Sequence, residues 1–167
     1  MAFVDEVDGR SQVWVRSVTD GPATQITFVD QAGLEWTRWS PSGTEIYFNY
    51  GGGIWSVPAV GGGPRNIVAR GKNPSLSADG RTLAYEGLGA DGDLGIWIAN
   101  ADGTNSRRVL NRPFISTSTP AISPDGQLIV FFQSSGGPMG DLWIVPSSGG
   151  TPRRLTFDDT EGGTPTW

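Results

Sequence analysis

The chain has 167 residues, 37% hydrophobic and 10% aromatic, with 7 Trp, enough for one well-packed domain. A formal net charge of −5 disfavours nucleic acid as a partner, because an acidic surface repels phosphates. With Cys 0 and His 0, the sequence excludes disulfides, thiol chemistry, Cys/His zinc sites and histidine-based catalytic triads.

No apolar run approaches the roughly 18 residues of a transmembrane helix, so no membrane insertion is expected. The opening MAFVDEVDG has neither a basic region nor a long apolar stretch, so no signal peptide is expected in this chain.

Residues 1–28 read as three strands: Met1–Val4, the QVWVRSV segment around Trp14, and Gln25–Thr27. Residues 34–68 read as four. Trp39 lies in the first, an SPSG turn covers Ser40–Gly43, Ile46–Phe48 is the second, GIWSVP around Trp55 the third, and Arg65–Val68 the fourth. Residues 73–110 repeat this order with Leu76, an SADG turn at Ser77–Gly80, Leu83–Tyr85, GIWIANADG around Trp97, and Arg107–Leu110. Residues 117–157 repeat it again. Thr119–Ile122 leads to an SPDG turn at Ser123–Gly126; Gln127–Phe132, DLWIVPSSGG around Trp143 and Pro152–Thr156 follow. Thr164–Trp167 then reads as another first strand with no turn after it.

The four tryptophans are 41, 42 and 46 residues apart, and the Ser-x-x-Gly turns keep nearly the same period. Units of about 40–45 residues with four strands each are the sequence signature of β-propeller blades. The turn chemistry agrees: proline suits the first central position, and the closing glycine can adopt positive φ. The predicted fold is therefore all-β, a propeller of four-stranded antiparallel blades. It holds four blades' worth of strands in offset register, because the chain opens on a second strand and ends on a first. Residues 164–167 are the expected closing strand. The third-strand tryptophans are expected to pack between blades. The fourth-strand arginines are expected to be structural, blunting an exposed edge.

Units of the form x-P-x-Φ-S-P-D-G-x-x-Φ-x-Φ, then D-L-W-Φ-Φ, then G-G-x-P-R-R-L-T (Φ apolar) resemble the TolB-like, WD-like bacterial propeller repeat. Pro120–Thr156 is the fullest copy and Pro74–Leu110 is close, with SADG for SPDG. The resemblance implies protein–protein contact through one face and a periplasmic setting. It implies no shared catalytic motif, so no catalytic residue and no cofactor is expected. Sixteen strands are too few for the six blades of the periplasmic TolB protein. Four blades must each turn about 90° and eight about 45° to close a ring. The slim, Gly-rich repeats favour the shallower turn, so we expect a homodimer forming one eight-bladed ring, with a closed four-bladed monomer as the alternative.

Loops leading from a fourth strand to the next first strand share a face with loops between second and third strands. That face carries Asp8, Asp30, Asp91, Asp93, Asp141, Asp158, Asp159 and Glu161 against Arg10, Arg70, Lys72 and Arg112. Such a net acidic collar suits a basic peptide or a cation; it is equally what soluble loops look like. Asp91-Gly92-Asp93 has too few ligands for a calcium loop and reads as an Asp-Gly turn, so no metal site is expected. Trp36 breaks the repeat, standing where the other units have Asn73, Thr119 and Thr164. It either fills a gap between blades or anchors a partner's side chain. Phe114 and Ile115 are similar candidates. The stretches Gly87–Gly95 and Asn111–Thr119 read as the longer loops, where function would be grafted.

Three functions are compatible with these residues. The first is a non-catalytic scaffold binding a protein or peptide through the acidic loop face. The second is the propeller of a larger enzyme or sensor, such as a peptidase, lyase or kinase-linked receptor. The third is a fragmentary or engineered repeat array without a ligand.

Overall fold

The computed structural model describes residues 1–19, 21–30, 33–111, 119–134, 139–158, 160–161 and 163–167, with residues 160 and 161 described by their backbone. The described residues form strands joined by turns.

The first sheet has three strands in the order β1 (Ala2–Val7), β2 (Arg10–Val15) and β3 (Thr24–Gln25). The second runs β4 (Glu35–Trp39), β5 (Glu45–Tyr50), β6 (Gly53–Pro58) and β7 (Arg65–Val68). The third runs β8 (Gly71–Leu76), β9 (Thr82–Leu88), β10 (Leu94–Asn100) and β11 (Arg107–Asn111). The fourth runs β12 (Ala121–Ile122), β13 (Leu128–Ser134), β14 (Met139–Pro146) and β15 (Arg153–Arg154), with β16 (Thr160–Glu161) pairing β14. These are four blades, and each meanders in sequence order. Residues 164–167, expected to be a closing first strand, take no strand in the single chain.

The chain divides into two compact units, Met1–Pro74 and Ser75–Trp167. In the first, the facing sides of two blades share a core of Val13, Ile26, Val29, Leu34, Ile46, Phe48 and Val57, with Trp39 and Trp55 packed against it. In the second, Ala84, Ile96, Ile122, Ile129, Phe131 and Val145 form the core, and Trp143 lies against it. Of the third-strand tryptophans, Trp55 and Trp143 are packed against these cores. Trp55 meets Tyr50 edge-on at 5.7 Å and donates its indole N–H to the Tyr50 carbonyl at 3.0 Å. Trp97 stacks on Tyr85 at 6.5 Å.

The Ser-x-x-Gly turns are built the same way in each unit. In SADG, the Ser77 hydroxyl donates to Asp79 Oδ1 at 2.6 Å and accepts the Thr82 N–H at 3.0 Å, and Asp79 Oδ1 also accepts the Arg81 N–H at 3.0 Å. Ser123 and Asp125 repeat this arrangement with Gln127 and Leu128. Ser40 takes the Glu45 N–H in the same way. Serine opens each motif because its hydroxyl must both donate and accept across the turn.

The stretch Gly87–Gly95, read as a loop, is partly strand. β9 runs through Gly87 and β10 includes Gly95, so the connection between them shrinks to residues 89–93. The glycines mark close approach rather than flexibility. A Cβ on Gly95 would lie 2.5 Å from the Leu110 carbonyl oxygen, and one on Gly87 would lie 2.7 Å from Trp97 Cδ1.

Candidate functional site

The position of Gly95 in the repeat explains the fate of Asp141. Aligned on the tryptophans, Gln12, Gly53, Gly95 and Asp141 are equivalent, two residues before Trp14, Trp55, Trp97 and Trp143. In the two middle blades the fourth strand stays in the ladder here, and its carbonyl fills the space a side chain would need. In the outer blades the fourth strand has only two residues, β3 and β15. A side-chain latch replaces the missing ladder.

In the first blade, Thr27 Oγ1 accepts the Val13 N–H at 2.8 Å and donates to Gln12 Oε1 at 3.0 Å. Gln12 also bonds the backbone of Val29 in both directions. In the fourth blade, Thr156 Oγ1 accepts the Leu142 N–H at 2.9 Å and donates to Asp141 Oδ1 at 3.1 Å. Arg154 completes the arrangement through a short ion pair with Asp141 and a 2.8 Å bond from Nε to the Thr156 carbonyl. Asp141 is thus buried and committed to holding its own blade. It is not offered to a ligand. No local pattern signals this latch, because its partners lie 14 or 15 residues apart.

Asp91 is also spoken for. It pairs with Arg108 at 2.8 Å, and its Oδ1 accepts the Asp93 N–H at 3.2 Å across a turn whose Gly92 has φ +83. Hydrogen bonds from Arg108 and from the Asp93 backbone hold the Asp91 carboxyl below its ordinary range. Arg108 also lies over Trp97 at 5.8 Å. Asp93 is half-buried and accepts a long 3.4 Å bond from Asn111. Asp158 is exposed. Phe114, Ile115, Arg112 and Asp159 lie outside the described residues, as does the side chain of Glu161, whose backbone pairs with Met139 in β16. Among the described residues no group of His, Cys, Asp or Glu has metal-binding geometry.

Four fourth-strand arginines, Arg65, Arg107, Arg108 and Arg154, make ion pairs or cap a carbonyl. Arg65 grips both carboxylate oxygens of Glu45, at 2.7 and 2.9 Å, and Arg107 donates to the Ser147 carbonyl at 2.7 Å. In the second unit, therefore, Asp91 and Asp141 of the expected acidic collar are paired with strand arginines.

The first unit is different. Trp36 is 39% exposed and holds φ +57, the left-handed region. Asn73, its repeat equivalent, has the same φ of +57. At Trp36 the conformation accompanies a register shift between Glu35 and Arg38 that interrupts the β4–β5 ladder. Asparagine accepts such a backbone readily, whereas for a bulky side chain it costs about 1–2 kcal/mol. Asp5 and Glu6 in β1, Asp8 in the turn after it, Asp30, and Glu35 at the start of β4 are all exposed in this unit. Arg10 approaches Asp30 only at 3.7 Å, with both side chains solvated. Phe28, following the Thr27 latch, is 77% exposed.

No family model matches the sequence. Among solved structures, TolB from Acinetobacter baumannii superposes with a TM-score of 0.83 at 20% identity, over 99% of this chain and 42% of that one. The putative TolB from Agrobacterium tumefaciens gives 0.75 at 22% identity, over 93% and 60%. An oligogalacturonate lyase from Vibrio parahaemolyticus gives 0.72 at 11% identity, over 92% and 48%. This chain spans about half the length of these proteins, which include both TolB and an enzyme. By fold, the chain is a TolB-like β-propeller with four antiparallel blades.

Proposed function

We propose that this chain is a non-catalytic scaffold that binds a cationic peptide segment on the loops of its first unit, with Trp36 as the anchor. The observation that carries this reading is an exposed indole on a backbone conformation that penalises it. Unfavourable conformations persist where the surrounding structure enforces them, and they concentrate at binding sites. An indole face attracts arginine or lysine, and the exposed carboxylates of Asp5, Glu6, Asp8, Asp30 and Glu35 favour the same charge. The second unit fits this role less well, since its carboxylates Asp91 and Asp141 are paired.

The test is calorimetric titration with an arginine-rich peptide and with its glutamate counterpart, for the parent and for Trp36→Asn. Asparagine is chosen because Asn73 shows that the backbone tolerates it there. The arginine peptide should bind with salt-sensitive affinity, the glutamate peptide should not, and Trp36→Asn should weaken binding about thirtyfold, as loss of a hot-spot aromatic does. Equal binding by Trp36→Asn, or no preference for the cationic peptide, would refute the reading.

A further inference from the structure

We propose that Asn105 is this chain's site of spontaneous deamidation, and that its isoaspartate product loosens the third blade by drawing Ser106 away from Tyr85. Asparagine is thermolabile because the next residue's backbone nitrogen attacks its side-chain amide. The asparagines of this chain are Asn49, Asn66, Asn73, Asn100, Asn105 and Asn111. All but Asn105 lie inside strands, in β5, β7, β8, β10 and β11, where the ladder holds the backbone. Side chains there are tied as well. Asn49 accepts the Asn73 N–H at 3.1 Å, Asn66 donates to the Val68 carbonyl at 3.3 Å, Asn100 to Thr104 Oγ1 at 2.8 Å and Asn111 to Asp93 Oδ2 at 3.4 Å. Asn73 is followed by Pro74, whose nitrogen has no proton to lose. Asn105 stands outside any strand, is exposed, and is followed by the small Ser106.

The repeat explains why an asparagine is there. Counted from the third-strand tryptophans Trp55, Trp97 and Trp143, Gly62, Thr104 and Gly150 are equivalent. Gly62 and Gly150 hold φ +141 and +126, values that a β-branched threonine does not adopt. In the third blade the left-handed residue moves one place on, to Asn105 at φ +54. Asparagine is among the few side chains that accept this conformation. Both neighbours are anchored. The Thr104 N–H and hydroxyl donate to Asp102 Oδ1 at 2.9 and 2.6 Å. The Ser106 hydroxyl bonds the Tyr85 hydroxyl, and Tyr85 stacks on Trp97 at 6.5 Å. Ser106 precedes β11, so its N–H lies outside the β10–β11 ladder.

In the reaction, the Ser106 backbone nitrogen loses its proton to solvent base and attacks Asn105 Cγ. The Cγ–Nδ2 bond breaks, and the nitrogen leaves as ammonia after taking a proton from solvent, which closes a succinimide. Water then opens the ring. Addition at Cγ gives aspartate, and addition at the main-chain carbonyl gives isoaspartate. One water enters and one ammonia leaves, so no oxidant or reductant is needed. Isoaspartate routes the main chain through the former side chain, which adds a methylene between position 105 and Ser106. With Thr104 anchored to Asp102, the inserted length displaces Ser106. Tyr85 is buried, so its hydroxyl then loses a partner that water does not freely replace.

The test ages the parent protein at body temperature and mildly alkaline pH and follows its tryptic peptides by mass spectrometry. The amide-to-acid mass gain should appear first in the peptide of residues 82–107, and fragmentation should place it at Asn105 rather than Asn100. Fragment ions diagnostic of isoaspartate should mark most of the product. Asn105→Gln should abolish the gain, because the longer side chain closes its ring far more slowly. The aged fraction, separated by ion exchange on its added negative charge, should unfold at lower urea than the parent. Asn105→Asp, which carries the charge without the added methylene, should unfold with the parent. An earlier mass gain at any other asparagine, or none at Asn105, would overturn the assignment. An isoaspartate fraction with the parent's urea midpoint, or an equal loss in Asn105→Asp, would overturn the link to Tyr85. The turn lies in the second unit, so neither result depends on peptide binding at Trp36.

Discussion

Replacing Asp141 with alanine removes the centre of the fourth-blade latch. The side chain is nearly buried and makes two bonds, one charge-assisted from Arg154 and one from the Thr156 hydroxyl. The first contributes about 1.5–3 kcal/mol and the second about 1 kcal/mol. Arg154 is 36% exposed, so water can solvate its guanidinium after the substitution, which trims the loss. The Leu142 N–H keeps its bond to Thr156 Oγ1. The expected loss is therefore about 2–4 kcal/mol, at the lower end of breaking a buried pair. For a chain of this size that lowers Tm by about 4–16 °C. The assay is thermal and urea unfolding of the parent, Asp141→Ala, Thr156→Val and the double variant. The double-variant cycle should show a coupling of about 1 kcal/mol, because the two side chains share a bond. A loss below about 0.5 kcal/mol for Asp141→Ala would place it among ordinary surface changes and refute the structural assignment.

Two further outcomes follow from the same repeat logic. Gly53→Ala and Gly95→Ala, at the latch position of the middle blades, should each cost about 1–3 kcal/mol in urea unfolding, because their Cβ atoms would meet the carbonyls of Val68 and Leu110 at 2.6 and 2.5 Å. A neutral result at both sites would show that the fourth strands can shift. Asp79 and Asp125 titrate below 3.8 in the folded chain, held down first by the Ser77 and Ser123 hydroxyls and then by backbone N–H groups. Their contribution is present above the unfolded pKa near 3.8 and lost as pH falls through the lower folded values. The urea midpoint should therefore drop below about pH 4 in the parent and drop less steeply in an Asp79→Asn, Asp125→Asn double variant; parallel curves would contradict the hydrogen-bond assignment.

The propeller could be read from the sequence because each blade is a local object. A hairpin between second and third strands, a Ser-x-x-Gly turn and a tryptophan at fixed spacing lie within about 40 residues, and every copy restates the same requirements. Strand order and the packing role of Trp55 and Trp143 follow from that repetition. The site was less legible. Trp36 stands out in the sequence because it breaks the pattern, but only the fold shows that it holds a left-handed backbone. The acidic collar was a statement about composition. Whether a carboxylate is free depends on which arginine crosses to it, and Arg108 and Arg154 come from the neighbouring strand.

The sequence by itself determined the blade, its turns, its core positions and the offset of the repeats, since all of these rest on periodicity and near-neighbour chemistry. The tertiary structure decided which copies of an equivalent position carry a side chain. Gly53 and Gly95 face a strand that stays in the ladder, whereas Gln12 and Asp141 face one that leaves it. The departing backbone must be bonded by something, and a buried N–H or carbonyl left without a partner would cost as much as a lost hydrogen bond. The length of the fourth strand, which no local pattern encodes, therefore turns the same point of the repeat into a glycine in two blades and a polar latch in the other two.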